Sequence, residues 1–92
     1  MTTQDYIAEV CNEIRDFLCE KNEQYGDSAI DPVRIFSKAS VTEQLKVRID
    51  DKISRLVRGT DAIESDDDIV NDLIGYLILW KVADLKRERE DA

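Results

Sequence analysis

The stretch Ser65-Asp66-Asp67-Asp68-Ile69-Val70-Asn71-Asp72-Leu73-Ile74-Gly75-Tyr76-Leu77-Ile78-Leu79-Trp80-Lys81-Val82 decides the fold. It begins as a helix begins, with a serine at the cap position and carboxylates in the first turn, near the positive end of the helix dipole. From Ile69 to Val82 the apolar residues cover most sides of a 3.6-residue period instead of one stripe. A helix apolar nearly all round is buried on more than one side. A chain of 92 residues builds only a modest core, so the additional side is expected to meet another subunit. Gly75 marks a notch where a neighbouring helix can come close. The helix is expected to run on to about residue 87, with 86–92 as a solvated, fraying tail.

Two earlier segments share the helical period. Ile7, Val10, Ile14, Phe17 and Leu18 recur at spacings of three and four, which predicts a helix over 3–24. Tyr25-Gly26-Asp27-Ser28 breaks the pattern, and Gly26 suits a C-terminal cap. Asp31 before Pro32 reads as a cap and first turn, so a short helix is expected over about 32–37. Ser40-Val41-Thr42-Glu43 is a capping-box signature for a helix reaching Arg58, with Gly59 just past its end. Leu45, Ile49, Ile53 and Leu56 form its apolar stripe, flanked by Asp51, Lys52 and Arg55. The expectation is one all-α domain over 1–92. It is a small helical bundle of three long helices plus one short helix, completed by oligomerisation as a dimer or tetramer.

The composition is 42% hydrophobic and 37% charged, which is globular, not disordered. A net charge of -8 argues against binding a nucleic-acid duplex or an anionic lipid surface, both of which need basic stripes. It leaves three readings. The acidic groups can hold a free nucleotide through a divalent cation, mimic nucleic acid toward a basic protein, or merely keep the domain soluble. There is no run of 18 apolar residues and no signal-peptide pattern, so no membrane span and a cytoplasmic location are expected. The absence of histidine removes Ser-His-Asp and Cys-His catalysis and every His-ligated metal site. Cys11 and Cys19 lie roughly 12 Å apart along one helix, too far for a disulfide within it. Both are expected to be buried apolar residues of a reducing compartment.

Three constellations bear on chemistry. Asp68 and Asp72 project from one helix face, where like charges repel unless a cation offsets them. A hard ion such as Mg²⁺ takes one or two carboxylates with water and substrate phosphates; the alternative is a capping acid and a surface carboxylate. Arg48, Lys52 and Arg55 share one face of the preceding helix, and Asp51 is adjacent. They can complete an acidic cluster and contact phosphate, or form a salt-bridge network between helices. Lys21-Asn22-Glu23-Gln24-Tyr25-Gly26 reads as a helix terminator, in which Asn22 and Tyr25 can also hydrogen-bond or stack on a base.

In order, Lys21-Asn22-x-x-Tyr25-Gly26-Asp27-Ser28, Val47-Arg48-Ile49-x-Asp51-Lys52-Ile53-x-Arg55-Leu56 and Glu64-Ser65-x-Asp67-Asp68-x-x-x-Asp72-Leu73-x-x-Tyr76 resemble a family found mainly in phages, the nucleotide modification associated domain 1 family. The likeness runs over about 21–79. That family is similar to the all-α nucleotide pyrophosphatases of MazG type, which hold Mg²⁺ on acidic residues of two adjacent helices. The resemblance implies Asp51, Asp68 and Asp72 as metal ligands and Lys21, Lys52 and Arg55 as phosphate contacts, with Asn22 and Tyr25 near the nucleotide. The MazG pattern pairs Glu-x-x-Glu with Glu-x-x-Asp. This chain offers Asp50 and Asp51, then Asp68-x-x-x-Asp72, with Glu64 or Asp67 as the candidates for a fourth carboxylate.

Two functions follow as expectations. One is a phage-type nucleotide-binding protein acting as a Mg²⁺-dependent (d)NTP pyrophosphohydrolase. The other is a non-catalytic anti-defence protein that sequesters a nucleotide second messenger, or presents its acidic surface to a host protein.

Overall fold

Side-chain caps set where each helix starts. In the computed structural model, which describes residues 1–59 and 65–91, Thr2 caps α1 (Thr3–Gln24), Ser40 caps α2 (Val41–Arg58) and Ser65 caps α3 (Asp66–Glu90). Thr2 and Asp5 form a full capping box: the Asp5 N–H donates to Thr2 Oγ1 at 3.1 Å and the Thr2 N–H to Asp5 Oδ2 at 2.9 Å. The backbone N–H of Thr2 is the main reason the Asp5 carboxyl sits below its usual pKa. Ser65 and Asp68 form a second box, at 3.1 Å and 3.4 Å. The box expected at Ser40 is only half made. Its hydroxyl accepts from the Glu43 N–H at 3.1 Å, but the Glu43 carboxylate turns to Lys46 at 3.3 Å. Ser65→Ala is expected to lower stability by about 1 kcal/mol, read as a fall in urea midpoint at unchanged m-value.

The helix ends follow glycine. Tyr25 closes α1, and Gly26 and Asp27 both take left-handed backbone at φ 62°. The Asn22 side-chain amide donates to Asp27 Oδ1 at 2.7 Å, which holds this second, non-glycine position in place. Gly59 at φ 76° closes α2. The short helix expected over 32–37 does not form, and residues 32–40 carry no helix. So few residues make too few hydrogen bonds to offset helix nucleation. Packing adds nothing here, since Val33 is 82% and Phe36 97% exposed. The segment is closed by the Ala39 carbonyl, which accepts from the Arg34 guanidinium and from Gln44 Nε2.

α2 and α3 carry the core. Leu45 and Ile49 from α2 and Ile69 from α3 are buried, and Lys46 Nζ lies 5.1 Å from the ring centroid of Trp80. The α2 stripe differs from its sequence reading. Its second half, Ile53 and Leu56, is exposed, and the buried position after Leu45 and Ile49 is Lys52. The spacing of four and then three puts Lys52 on the face turned to α3, opposite Asp72. α3 continues to Glu90, past the expected frayed start of the tail, with Arg87–Asp84 and Lys86–Glu90 pairs along its last turns.

α1 buries none of its residues. It meets α3 where Leu18 lies over Gly75: a β-carbon there would sit 2.8 Å from Leu18 Cδ2, so the notch is what lets α1 approach. Because α1 contributes no buried face, Cys11 and Cys19 are exposed, not buried as expected. The Cα radius of gyration is 15.0 Å, against about 12 Å for a compact domain of this length. Among the described residues no helix is long and apolar enough to cross a membrane.

Candidate functional site

The end of α1, the turn after it, α2 and the middle of α3 converge on one open cleft of about 160 Å³. α1 contributes Phe17, Lys21 and Asn22, with Tyr25 at its cap. α2 contributes Arg48, and α3 contributes Asn71, Asp72 and Tyr76. Gly75 lines the same wall, so the notch that admits Leu18 also sets the distance between Lys21 and Asp72.

Asp72 is the electrostatic centre. Lys52 Nζ lies 2.8 Å from its Oδ2 and Lys21 Nζ 3.5 Å from its Oδ1. Burial opposes ionisation of this carboxyl, but the hydrogen bond and charge of Lys52, with the charge and hydrogen bond of Lys21, outweigh it and hold its pKa below the ordinary value. The two lysines are not equivalent. Lys52 is buried and packs behind the cleft wall; Lys21 lines the cleft and is 40% exposed. The Phe17 ring, with its centroid 4.6 Å from Lys21 Nζ, fixes that ammonium at the opening. Asp72 is already matched at shorter range by Lys52, so Lys21 is the cation available to an incoming anion. Arg48 lines the same cleft and makes no ion pair among the described residues.

The expected site residues divide. Lys21, Asn22, Tyr25, Arg48 and Asp72 meet at the cleft. Asp51 and Arg55 do not line it, and pair with one another at 3.0 Å along the exposed side of α2. Asp68 is engaged in the capping box of α3. Glu64, a candidate fourth carboxylate, lies outside the described residues, and Asp67 accepts from Asn71 Nδ2 at 3.5 Å. Among the described residues no three carboxylates or thiols gather as a metal-holding group. What the cleft presents to a Mg²⁺ ion is one carboxylate between two ammonium groups, which repel a further cation. In this arrangement Asp51, Asp68 and Asp72 are each engaged by other partners: Arg55, the α3 cap and Lys52.

Two aromatic walls were missing from the sequence reading. Tyr76 is one helical turn past Asp72, which is signal enough to place it on the same face. Phe17 reads from its spacing as core, and only the loose seating of α1 turns it into a cleft wall. Comparison of the chain with protein-family models, with curated proteins and with solved structures finds no match.

Proposed function

We propose that the cleft binds a nucleotide or nucleotide-derived anion, and that the chain acts by binding it without hydrolysing it. The observation that carries this is the pairing of two cleft cations, Lys21 and Arg48, with two tyrosines, Tyr25 and Tyr76, around one opening. Arginine takes a phosphate bidentately, and an ammonium adds a point charge beside it. A tyrosine 66% exposed, as Tyr25 is, has a ring face open to a base, and base stacking on an aromatic contributes about 1–3 kcal/mol. Enclosed ligand pockets span about 300–1,000 Å³; a cleft of about 160 Å³ holds one end of a nucleotide and leaves the rest outside it.

The non-catalytic reading is supported by the carboxylates. Hydrolysis of a phosphoanhydride needs its charge neutralised and a water aligned. Asp51 and Asp68 are committed elsewhere, and Asp72 is held by two lysines. Binding without turnover is the action of a protein that sequesters a nucleotide messenger. Incubation with Mg²⁺ and a panel of mono-, di- and triphosphates and cyclic nucleotides is expected to release neither phosphate nor pyrophosphate, while at least one of them raises the melting temperature. Turnover that disappears in a folded Asp72→Asn variant would make the chain a hydrolase instead.

A further inference from the structure

A second, more apolar feature lies on the outer side of α1 and α3. An apolar groove of about 460 Å³ runs between these helices, walled by Ile14, Leu18, Ile74, Ile78 and Val82, with Cys11 and Cys19 along its α1 side. Around it Ile7 is 57%, Val10 50% and Leu77 48% exposed. The chain exposes 7264 Å² at 10.6 kDa, where a folded monomer of that mass exposes about 5,500 Å². The excess of about 1,800 Å² falls within the roughly 1,000–2,500 Å² that each partner of an obligate homodimer hides.

We infer that a second copy of this chain covers the α1/α3 groove. Two observations select a second copy as the occupant. The excess area, part of which lies on the uncovered segment 32–40, is of the size that one protomer contributes to such an interface. α1 is a full-length helix that buries nothing in the monomer, so its apolar face lacks the covering that its spacing calls for. The contact is isologous: the same helical face serves both copies. The groove shares Leu18, Asn22 and Leu79 with the cleft, but neither Lys21 nor Arg48 lines it, so the inference does not rest on the nucleotide reading.

Sedimentation velocity and iodoacetamide labelling of the native chain test it together. Between about 1 and about 100 µM the chain is expected to sediment as an oligomer whose share grows with concentration, while Cys11 and Cys19 become protected from alkylation in step. Raising salt to about 0.5 M is expected to leave association unchanged or strengthen it, because both copies bear like charge. The paired variant Val10→Lys and Ile78→Lys, both on exposed sites, is expected to keep its helical circular dichroism and associate about tenfold or more weakly. A species of monomer mass at the highest concentration, with both thiols reacting at the rate of a free thiol, overturns the inference. So does an oligomer whose thiols stay fully reactive, or one that salt disperses, since either would be built on another face.

Discussion

Asp72→Ala is expected to destabilise the chain by about 2–3 kcal/mol. Breaking a fully buried ion pair costs about 3–5 kcal/mol, and Asp72 is discounted from that because its side chain is 21% exposed. The change removes a 2.8 Å partner of buried Lys52 and a 3.5 Å partner of Lys21. In a domain of this size the loss appears as a fall of about 10–20 °C in melting temperature, measured at one protein concentration. Asp72→Asn keeps the shape and loses the charge, so most of the fall is expected to remain. The pH dependence has a fixed sign. The Asp72 pKa is held below its ordinary value of 3.8, so the stabilisation is fully present above that value. It is lost as pH falls through the lower, folded value. The gap between wild type and Asp72→Asn is therefore expected to be constant near neutrality and to close below about pH 4. A gap that persists in acid would place the effect in packing and not in the ion pairs. Replacing both partners, Lys52→Met with Asp72→Leu, is expected to recover much of the loss, because a buried pair rarely outperforms apolar residues of similar volume.

Lys21→Ala combined with Arg48→Ala is expected to weaken nucleotide binding by about 100-fold or more, since each charge-assisted hydrogen bond to phosphate contributes about 1.5–3 kcal/mol. The fold is expected to survive. Arg48 is exposed, and Asp72 keeps Lys52 at 2.8 Å when Lys21 is removed. Arg55→Ala is the informative contrast. The resemblance gives Arg55 to phosphate, but it lies outside the cleft and beside Asp51, so affinity is expected to be unchanged. Equal losses at Arg55 and at Arg48 would return the phosphate to the α2 face that carries Asp51.

The helices were legible because each start and stop has a local chemical cause. Ser65-x-x-Asp68 and Ser40-x-x-Glu43 mark starts, and Gly26 and Gly59 mark ends; α1 runs over Thr3–Gln24, as its period predicts. The cleft was legible in part, through Lys21, Asn22 and Tyr25 at the end of α1 and Asp72 on α3. What failed needed knowledge of how the helices pack. Pro32 after Asp31 is a valid helix start, but nothing covers Val33 or Phe36, so no helix forms there. Ile53 and Leu56 continue a stripe by spacing, yet α3 faces Lys52 instead. The signal for that was present as one charge of each sign in two core-facing rows: Leu45, Ile49, Lys52 on one helix and Ile69, Asp72, Gly75 on the other. Carboxylates are ambiguous for the same reason. Asp68, one turn before Asp72, serves a cap, and spacing alone does not separate a capping acid from a ligand. The cysteines read as buried because α1 was expected to pack on its apolar face, and that face is open.

Titration calorimetry with the nucleotide panel, in EDTA and again with Mg²⁺, addresses the cleft most directly. Saturable binding of at least one nucleotide in EDTA, lost in the Lys21→Ala, Arg48→Ala variant and kept in Arg55→Ala, is the predicted result. Binding that requires Mg²⁺ and survives loss of Lys21 and Arg48, or no binding of any nucleotide under either condition, contradicts it.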